Sequence, residues 1–431
     1  MRSRYLLASL LILSLSAPLY AAPISLPDAI NYALENNNTV KSSKARLDKT
    51  EFQIQEAGSL VYPTLKLGVS RTSAENYSTR QFSTLSSGTI SSISNAYSAT
   101  LTAKQLLYGS HVSAVLAVAG AARQSAQYEY QSAISQNAYD VKAAYYYVLK
   151  MRKLVEVSDI SRSVLKSHLN QVTEFQKAGM STQADILNVQ VSLGNAEKQL
   201  LEALKGLALV NLQFNMTLGK EVDAPVDLDS TIDKVPVASP TRSVEEYVQI
   251  ALNSRGDLKS LEKTKDVLRA NVEVEASQSN PQLYLSGSYG YSNPGFSNWF
   301  TEASKEWMWG LNLSWTLFDG NNTAGRVAQA NLDVANTDVT LDTFRRGISI
   351  EVREALLSIQ LAKKVILTFQ DTIKSANESV RLTVERYKAG GATNQEILNA
   401  QVARLQAQVS LTNAQFDLAI AQARLQKVLG Q

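Results

Sequence analysis

The chain has no cysteine among its 431 residues and only two histidines, His111 and His168. Without cysteine there is no disulfide framework and no thiol to carry a lipid. With two histidines far apart in sequence, neither a metal site nor a histidine-dependent active site is expected, and no catalytic constellation or cofactor is expected either. Proline is scarce: the nine residues stand at 18, 23, 27, 63, 225, 236, 240, 281 and 294, leaving 64–224 and 295–431 free of it. Proline breaks helix interiors, so both stretches have room for very long helices. Beyond the first residues there is no run of about 18 apolar residues, so no helix is expected to span a bilayer. A soluble protein, a surface-bound one or a β-barrel remain. With 42 basic against 39 acidic residues, nothing points to nucleic acid.

What is present begins with Arg2 and Arg4, an apolar core from Leu6 to Leu15, and small residues ending at Ala21-Ala22. That order predicts a secretory signal peptide over 1–22, the alternative being a buried N-terminal helix. From there the chain is written twice. Ser25-Leu26-Pro27-Asp28 answers to Ser243-Val244-Glu245-Glu246 and Pro63 to Pro281, all at a spacing of 218. Gly109 answers to Gly320, Lys177-Ala178-Gly179 to Lys388-Ala389-Gly390 and Leu218-Gly219 to Leu429-Gly430, all at 211. The division is a first repeat at 23–219, a linker at 220–242 and a second repeat at 243–431. Two copies are too few for a solenoid. The shortfall of seven residues falls between the paired proline and the paired glycine, where an exposed loop tolerates it.

Each copy changes period along its length. A helix precedes Pro63, with Ala29, Ile30, Ala33 and Leu34 on one face, and another precedes Pro281. Then the period is two: Leu65, Leu67 and Val69 alternate with polar residues, as do Tyr97, Ala99, Leu101 and Ala103. In the second copy Leu283, Leu285, Tyr289 and Tyr291 form one strand face, and Trp307, Trp309, Leu311, Leu313, Trp315 and Leu317 another. Two strands per copy follow, with loops expected from Ser73 to Asn95 and from Ser292 to Lys305. Past the paired glycine the period becomes 3.5: Ile348, Val352, Ala355, Ile359, Ala362, Ile366, Phe369, Ile373, Ala376, Val380, Thr383 and Tyr387. The first copy repeats it from Val141, with a polar interruption at Ser158 and Arg162. So long a repeat predicts left-handed coiled-coil packing over about 100 Å. Gly179 and Gly390 stop these helices, and a return helix follows each.

All four tryptophans lie between Trp299 and Trp315. An alternating strand of about ten residues with aromatics near its ends is the pattern of an outer-membrane barrel strand; a sheet packed on an ordinary core is the alternative. Four strands cannot close a barrel, since the smallest have eight, so a membrane role demands several chains.

The order helix, strand, loop, strand, long helix, glycine turn and return helix, repeated once, resembles the TolC family of outer-membrane exit ducts. The strings Lys177-Ala178-Gly179-Met180-Ser181-Thr182-Gln183-Ala184-Asp185-Ile186-Leu187 and Tyr387-Lys388-Ala389-Gly390-Gly391-Ala392-Thr393-Asn394-Gln395-Glu396-Ile397-Leu398 are similar to the family's helix turns, as is Leu317 to Gly320 to its strand exit. The resemblance covers residues 23–431. It implies a mainly α fold with a small membrane β part, a homotrimer whose 12-strand β-barrel in the outer-membrane lipid continues into a 12-helix periplasmic tunnel. It also implies a periplasmic adaptor and an inner-membrane pump of RND, ABC or MFS type. On that pattern Leu283, Leu285, Trp307, Trp309, Leu311, Leu313 and Trp315 face lipid. Ala178, Gly179, Met180, Ala389, Gly390 and Gly391 meet the adaptor, and Asp185, Tyr387, Glu396 and Asn399 form the periplasmic gate. Tyr387 matches a gating contact to Asp185; Asn399 departs from the family by losing a charge. The competing reading is a periplasmic coiled-coil scaffold or adhesin without a pore.

Overall fold

The computed structural model describes residues 23–83, 86–229 and 242–431, with 74–95 described as backbone; the expected signal peptide and most of the expected linker lie outside the described residues. Ser25 accepts a hydrogen bond from the Asp28 amide and Pro27 sits in the first turn, which starts α1 (Leu26–Asn36). Then come α2 (Asn38–Ser59), β1 (Thr64–Ser83), β2 (Ser86–Tyr108), α3 (Ser110–Lys177) and α4 (Gln183–Leu218). The second copy repeats the series as α5 (Val244–Ser254), α6 (Gly256–Ser277), β3 (Gln282–Asn293), β4 (Lys305–Ser314), α7 (Asn322–Lys388) and α8 (Asn394–Val428). At 1.5 Å per residue the 68 residues of α3 run for about 100 Å.

The single helix expected before each proline is instead two. Asn37 and Arg255 are extended, with ψ of 130° and 124°, and separate α1 from α2 and α5 from α6. The physical reason lies at the far end of each copy. Gly219, in the left-handed region at φ 76°, lies so close to the first break that an added Cβ would stand 2.5 Å from the Asn36 carbonyl oxygen. Gly430, at φ 73°, meets Ser254 in the same way at 3.0 Å. Asn37 donates to the Thr217 carbonyl at 2.8 Å, so the break is where the end of α4 is received.

The expected loop between Ser73 and Asn95 is also corrected. β1 and β2 stay paired through it, from Ser73 with Asn95 to Gln81 with Ser87, because a ladder in water needs only backbone groups and tolerates polar residues on both faces. The matching stretch of the second copy does leave the sheet, forming 3₁₀ turns at Phe296–Asn298 and Glu302–Ser304. The difference in length between the copies therefore sits in these hairpins.

The chain falls into two units. One takes residues to 38, 135–242 and 353–427. Its core joins Ala29 and Ala33 to Val141, Tyr145, Val148, Phe214, Leu218 and Ala419. Tyr145 is fully buried, and its hydroxyl lies 3.2 and 2.9 Å from the Ile24 and Asp229 carbonyl oxygens. The α7 stripe is as expected: Val352, Ala355, Ile359 and Ala362 are buried, and Ile366 through Tyr387 are half-buried. The other unit takes 39–134, 243–352 and 428–431 and holds the sheet. There Arg255 is buried and bonded to Asp257 at 2.6 Å and Glu351 at 2.5 Å.

Candidate functional site

The four strands form one antiparallel sheet in the order β1-β2-β3-β4. Paired residues share a face, so the register sorts the side chains. Leu67, Leu101, Tyr289 and Trp307 make one row, Leu65, Ala103, Gly287 and Trp309 the next, and Leu285 with Leu311 and Leu283 with Leu313 continue that face. The opposite face carries Lys66, Thr102, Ser288 and Met308, and Gly68, Thr100, Gly290 and Glu306. Nothing among the described residues covers the apolar face. Leu67 is 72 % exposed, Trp307 70 % and Leu311 59 %, whereas a soluble protein rarely leaves so large an apolar area in water. The apolar face thus includes six of the seven residues expected to face lipid. The seventh, Trp315, lies just beyond β4, which ends at Ser314, and is exposed beside the exposed Leu317 and Phe318.

Aromatic rings collect at the other end of the sheet. Tyr97 meets Phe296 at 5.4 Å, Trp299 stacks on Phe300 at 4.8 Å, and Phe300 meets Tyr291 at 5.3 Å. The ten residues of β4 run for about 34 Å, long enough for a tilted membrane strand. β1 and β4 are the sheet's two edges, and each offers an open row of backbone groups.

The second place of interest is the pair of turns between the long helices. In the first, Gly179 has φ 75° and the Met180 amide donates to the Phe175 carbonyl at 2.8 Å; in the second, Gly390 has φ 75° and Gly391 donates to Arg386 at 2.8 Å. This is the left-handed glycine stop, closed by a six-residue bond. All six of Ala178, Gly179, Met180, Ala389, Gly390 and Gly391 are exposed.

Each return helix then starts on a reciprocal cap. Asp185 accepts from the Thr182 hydroxyl at 2.7 Å and amide at 3.0 Å while its own amide donates to the Thr182 hydroxyl at 3.2 Å. Glu396 and Thr393 do the same at 3.1, 3.1 and 3.3 Å. These bonds favour the ionised carboxylate. The Thr182 hydroxyl holds the Asp185 carboxyl below its ordinary value, and the Thr393 amide holds that of Glu396 below its own. Arg386 adds to the second, 3.5 Å from Glu396. Asn399 is exposed and accepts from Gln395 at 2.9 Å.

The structure does not join Tyr387 to Asp185. The Tyr387 hydroxyl is buried with no partner among the described residues. Its ring stacks on Phe175 at 5.8 Å and meets His168 edge-on at 6.0 Å, while the Asp185 carboxylate is engaged by its own cap. What bridges the two hairpins here is His168. It is 5 % exposed, and its Nε2 lies 2.8 Å from Asn394 Oδ1. Asn394 Nδ2 in turn donates to the Asp185 carbonyl at 3.2 Å. Burial pushes the His168 imidazole below its ordinary value, opposed by its bonds to Asn394 and Gln171. The sequence reading left His168 and Asn394 unassigned. The signal was its spacing: His168 stands three after Leu165 and four before Val172, on the inward stripe.

An antiparallel sheet with one polar and one apolar face, both uncovered among the described residues, in a chain that also carries long helical hairpins, defines the class of a membrane-inserting protein. The model of the outer membrane efflux protein family matches residues 29–213 and again 247–431. The chain belongs to that family. It is 22 % identical over 423 residues to the outer membrane protein TolC of Escherichia coli, covering 92 % of this chain and 80 % of that protein. It is also 22 % identical over 293 residues to TolC of Vibrio cholerae, covering 67 % of this chain and 66 % of the relative, just under two thirds of that protein's length. Among solved structures it superposes on the outer membrane protein VceC of Vibrio cholerae with a TM-score of 0.78 at 18 % identity, over 94 % of this chain and 96 % of the other. The two matched segments fall within the stretches 23–219 and 243–431.

Proposed function

We propose that the chain is the outer-membrane channel of an efflux pump or type I secretion system, passing substrates outward without chemistry of its own. The observation that carries this is the bare sheet: its apolar face suits lipid, its polar face suits water, and its two open edges demand partners. In a bilayer every backbone group must be paired, so β1 of one copy bonds β4 of the next. Three copies give a homotrimer with a 12-strand barrel, and their hairpins give a 12-helix tunnel. The glycine turns are the surface offered to a periplasmic adaptor and through it to an inner-membrane pump of RND, ABC or MFS type. Asp185, Glu396, Asn399 and Tyr387 ring the tip and set its opening and its cation preference.

The test compares the two sheet faces. Leu311→Arg puts a charge on the face assigned to lipid, at a cost of about 2–4 kcal/mol; Asn312→Arg puts it on the face assigned to water. The first should abolish the heat-modifiable trimer in outer-membrane fractions and its conductance in planar bilayers, and the second should keep both. Equal tolerance of the two, or wild-type protein recovered as soluble periplasmic monomers, would overturn the channel in favour of a poreless scaffold.

A further inference from the structure

We propose that the His168–Asn394 hydrogen bond is a proton-operated latch, holding the two hairpin tips together at neutral pH and letting the tip open in acid. The proposal rests on the channel reading above. It starts from connectivity: the bond runs from α3 to the first residue of α8, and Asn394 continues it to the Asp185 carbonyl on α4. One buried amide thus ties three helices near the turns.

The direction of each bond fixes the proton. Asn394 gives its nitrogen to the Asp185 carbonyl, which turns its oxygen to His168, so Nε2 carries the hydrogen and Nδ1 is the atom left to titrate. A second proton does not break the Nε2 bond. It creates a charge where little surrounds it to accept one. From α8 the ring meets Asn394 and from α7 Tyr387; Gln401 of α8 and Val380 and Val384 of α7 line the same cavity, and Asn394 carries the link on to the Asp185 carbonyl of α4. On α3 itself there are Gln171 and, farther along the same cavity, Asp159, which is already paired with Arg162 at 2.6 Å. The Asp185 carboxylate is occupied by Ser181 and Thr182.

The closed arrangement is also poised. Tyr387 Oη is buried without a partner among the described residues, a cost that opening to water would relieve. A cavity of 460 Å³ lined by His168, Gln171 and Gln401 gives water a route to the ring. An opened tip exposes the imidazole and restores its ordinary affinity for protons, near pH 6.5. The open state therefore binds the proton more tightly, and acidification through that range favours it. The second copy has no such switch, because Ser379 occupies the position matching His168.

The experiment is conductance of the purified trimer in planar bilayers at about pH 7.5 and 5.5. Wild type should conduct at least about threefold better in acid, well within what one proton per latch supplies over one pH unit. His168→Gln, which keeps a donor but cannot titrate, should stay closed at both values, and His168→Ala should conduct at both. His111→Gln should behave as wild type. A flat wild-type profile, an acid response retained in His168→Gln, or a tip that stays shut in His168→Ala would overturn the latch while leaving the channel intact. No conductance from any trimer would overturn the channel reading and the latch with it.

Discussion

The two copies of the repeat keep the same backbone devices and give them different side-chain partners. Both turns stop on a left-handed glycine and restart on a threonine with a carboxylate three residues on. Yet where the second turn has Arg386, folded back on Gly391 at 2.8 Å, the first has Phe175, which reaches Tyr387 of the other hairpin. Both helical entries are broken to receive a terminal glycine. At the first break the Asn37 amide bonds the Thr217 carbonyl, and at the second the buried guanidinium of Arg255 bonds Asp257 and Glu351. The backbone geometry of the turns and breaks is common to the copies, and the side-chain contacts around them are not.

The largest expected effect breaks the shared backbone. Gly219→Ala adds a left-handed alanine at about 1–2 kcal/mol and drives its Cβ into the Asn36 carbonyl at 2.5 Å, a displacement of about 1–3 kcal/mol. The sum is about 3 kcal/mol. Gly430→Ala, with 3.0 Å to Ser254, should cost about 2 kcal/mol. Gly179→Ala and Gly390→Ala, which meet nothing within 4 Å, should cost only about 1 kcal/mol. Chemical unfolding of the solubilised protein ranks the four. An equal cost at Gly219 and Gly179 would remove the close approach as the reason for the break.

A smaller effect separates the two breaks. Arg255→Ala removes the guanidinium that bonds Asp257 and Glu351. Because those carboxylates remain 33 % and 38 % exposed, the loss should be about 2 kcal/mol, below the ~3–5 of a fully buried pair. Asn37→Ala gives up the neutral hydrogen bond to the Thr217 carbonyl, about 1 kcal/mol. If the two cost the same in the same unfolding assay, the divergence of side chains at this position carries no energetic meaning.

Much of this was legible because it repeats or alternates. The glycine stops, the coiled-coil stripe from Ile348 and the two strand faces follow from period and spacing, and they stand where expected except that β4 ends at Ser314, short of Trp315 and Leu317. The breaks at Asn37 and Arg255 were not legible, since what makes them is a glycine some 180 residues away. The β1–β2 hairpin ran longer than expected because polarity marks water on both faces, which strands tolerate as well as loops do. At the tip the charged residues drew the reading, and the structure spends Asp185 and Glu396 on helix caps. The contact between hairpins falls to an imidazole and an amide that carry no charge in the sequence.

The smallest effect tests that reassignment through pH. Both cap carboxyls sit below their ordinary values, so their contribution is complete above the unfolded carboxylate range, near pH 4, and is lost as pH falls through the lowered native values. Between about pH 7 and 5 neither cap should weaken, which leaves that window to His168. Thr182→Ala and Thr393→Ala should each cost about 1 kcal/mol of helix stability at neutral pH. Followed by carboxyl-carbon NMR, Asp185 should then titrate nearer its ordinary value in Thr182→Ala. Glu396 should recover less in Thr393→Ala, because Arg386 still stands 3.5 Å away and also holds it down. Arg386→Ala should move Glu396 and leave Asp185 untouched. An Asp185 titration indifferent to Thr182→Ala would mean that its carboxylate answers to another partner, Ser181 at 3.2 Å being the one at hand.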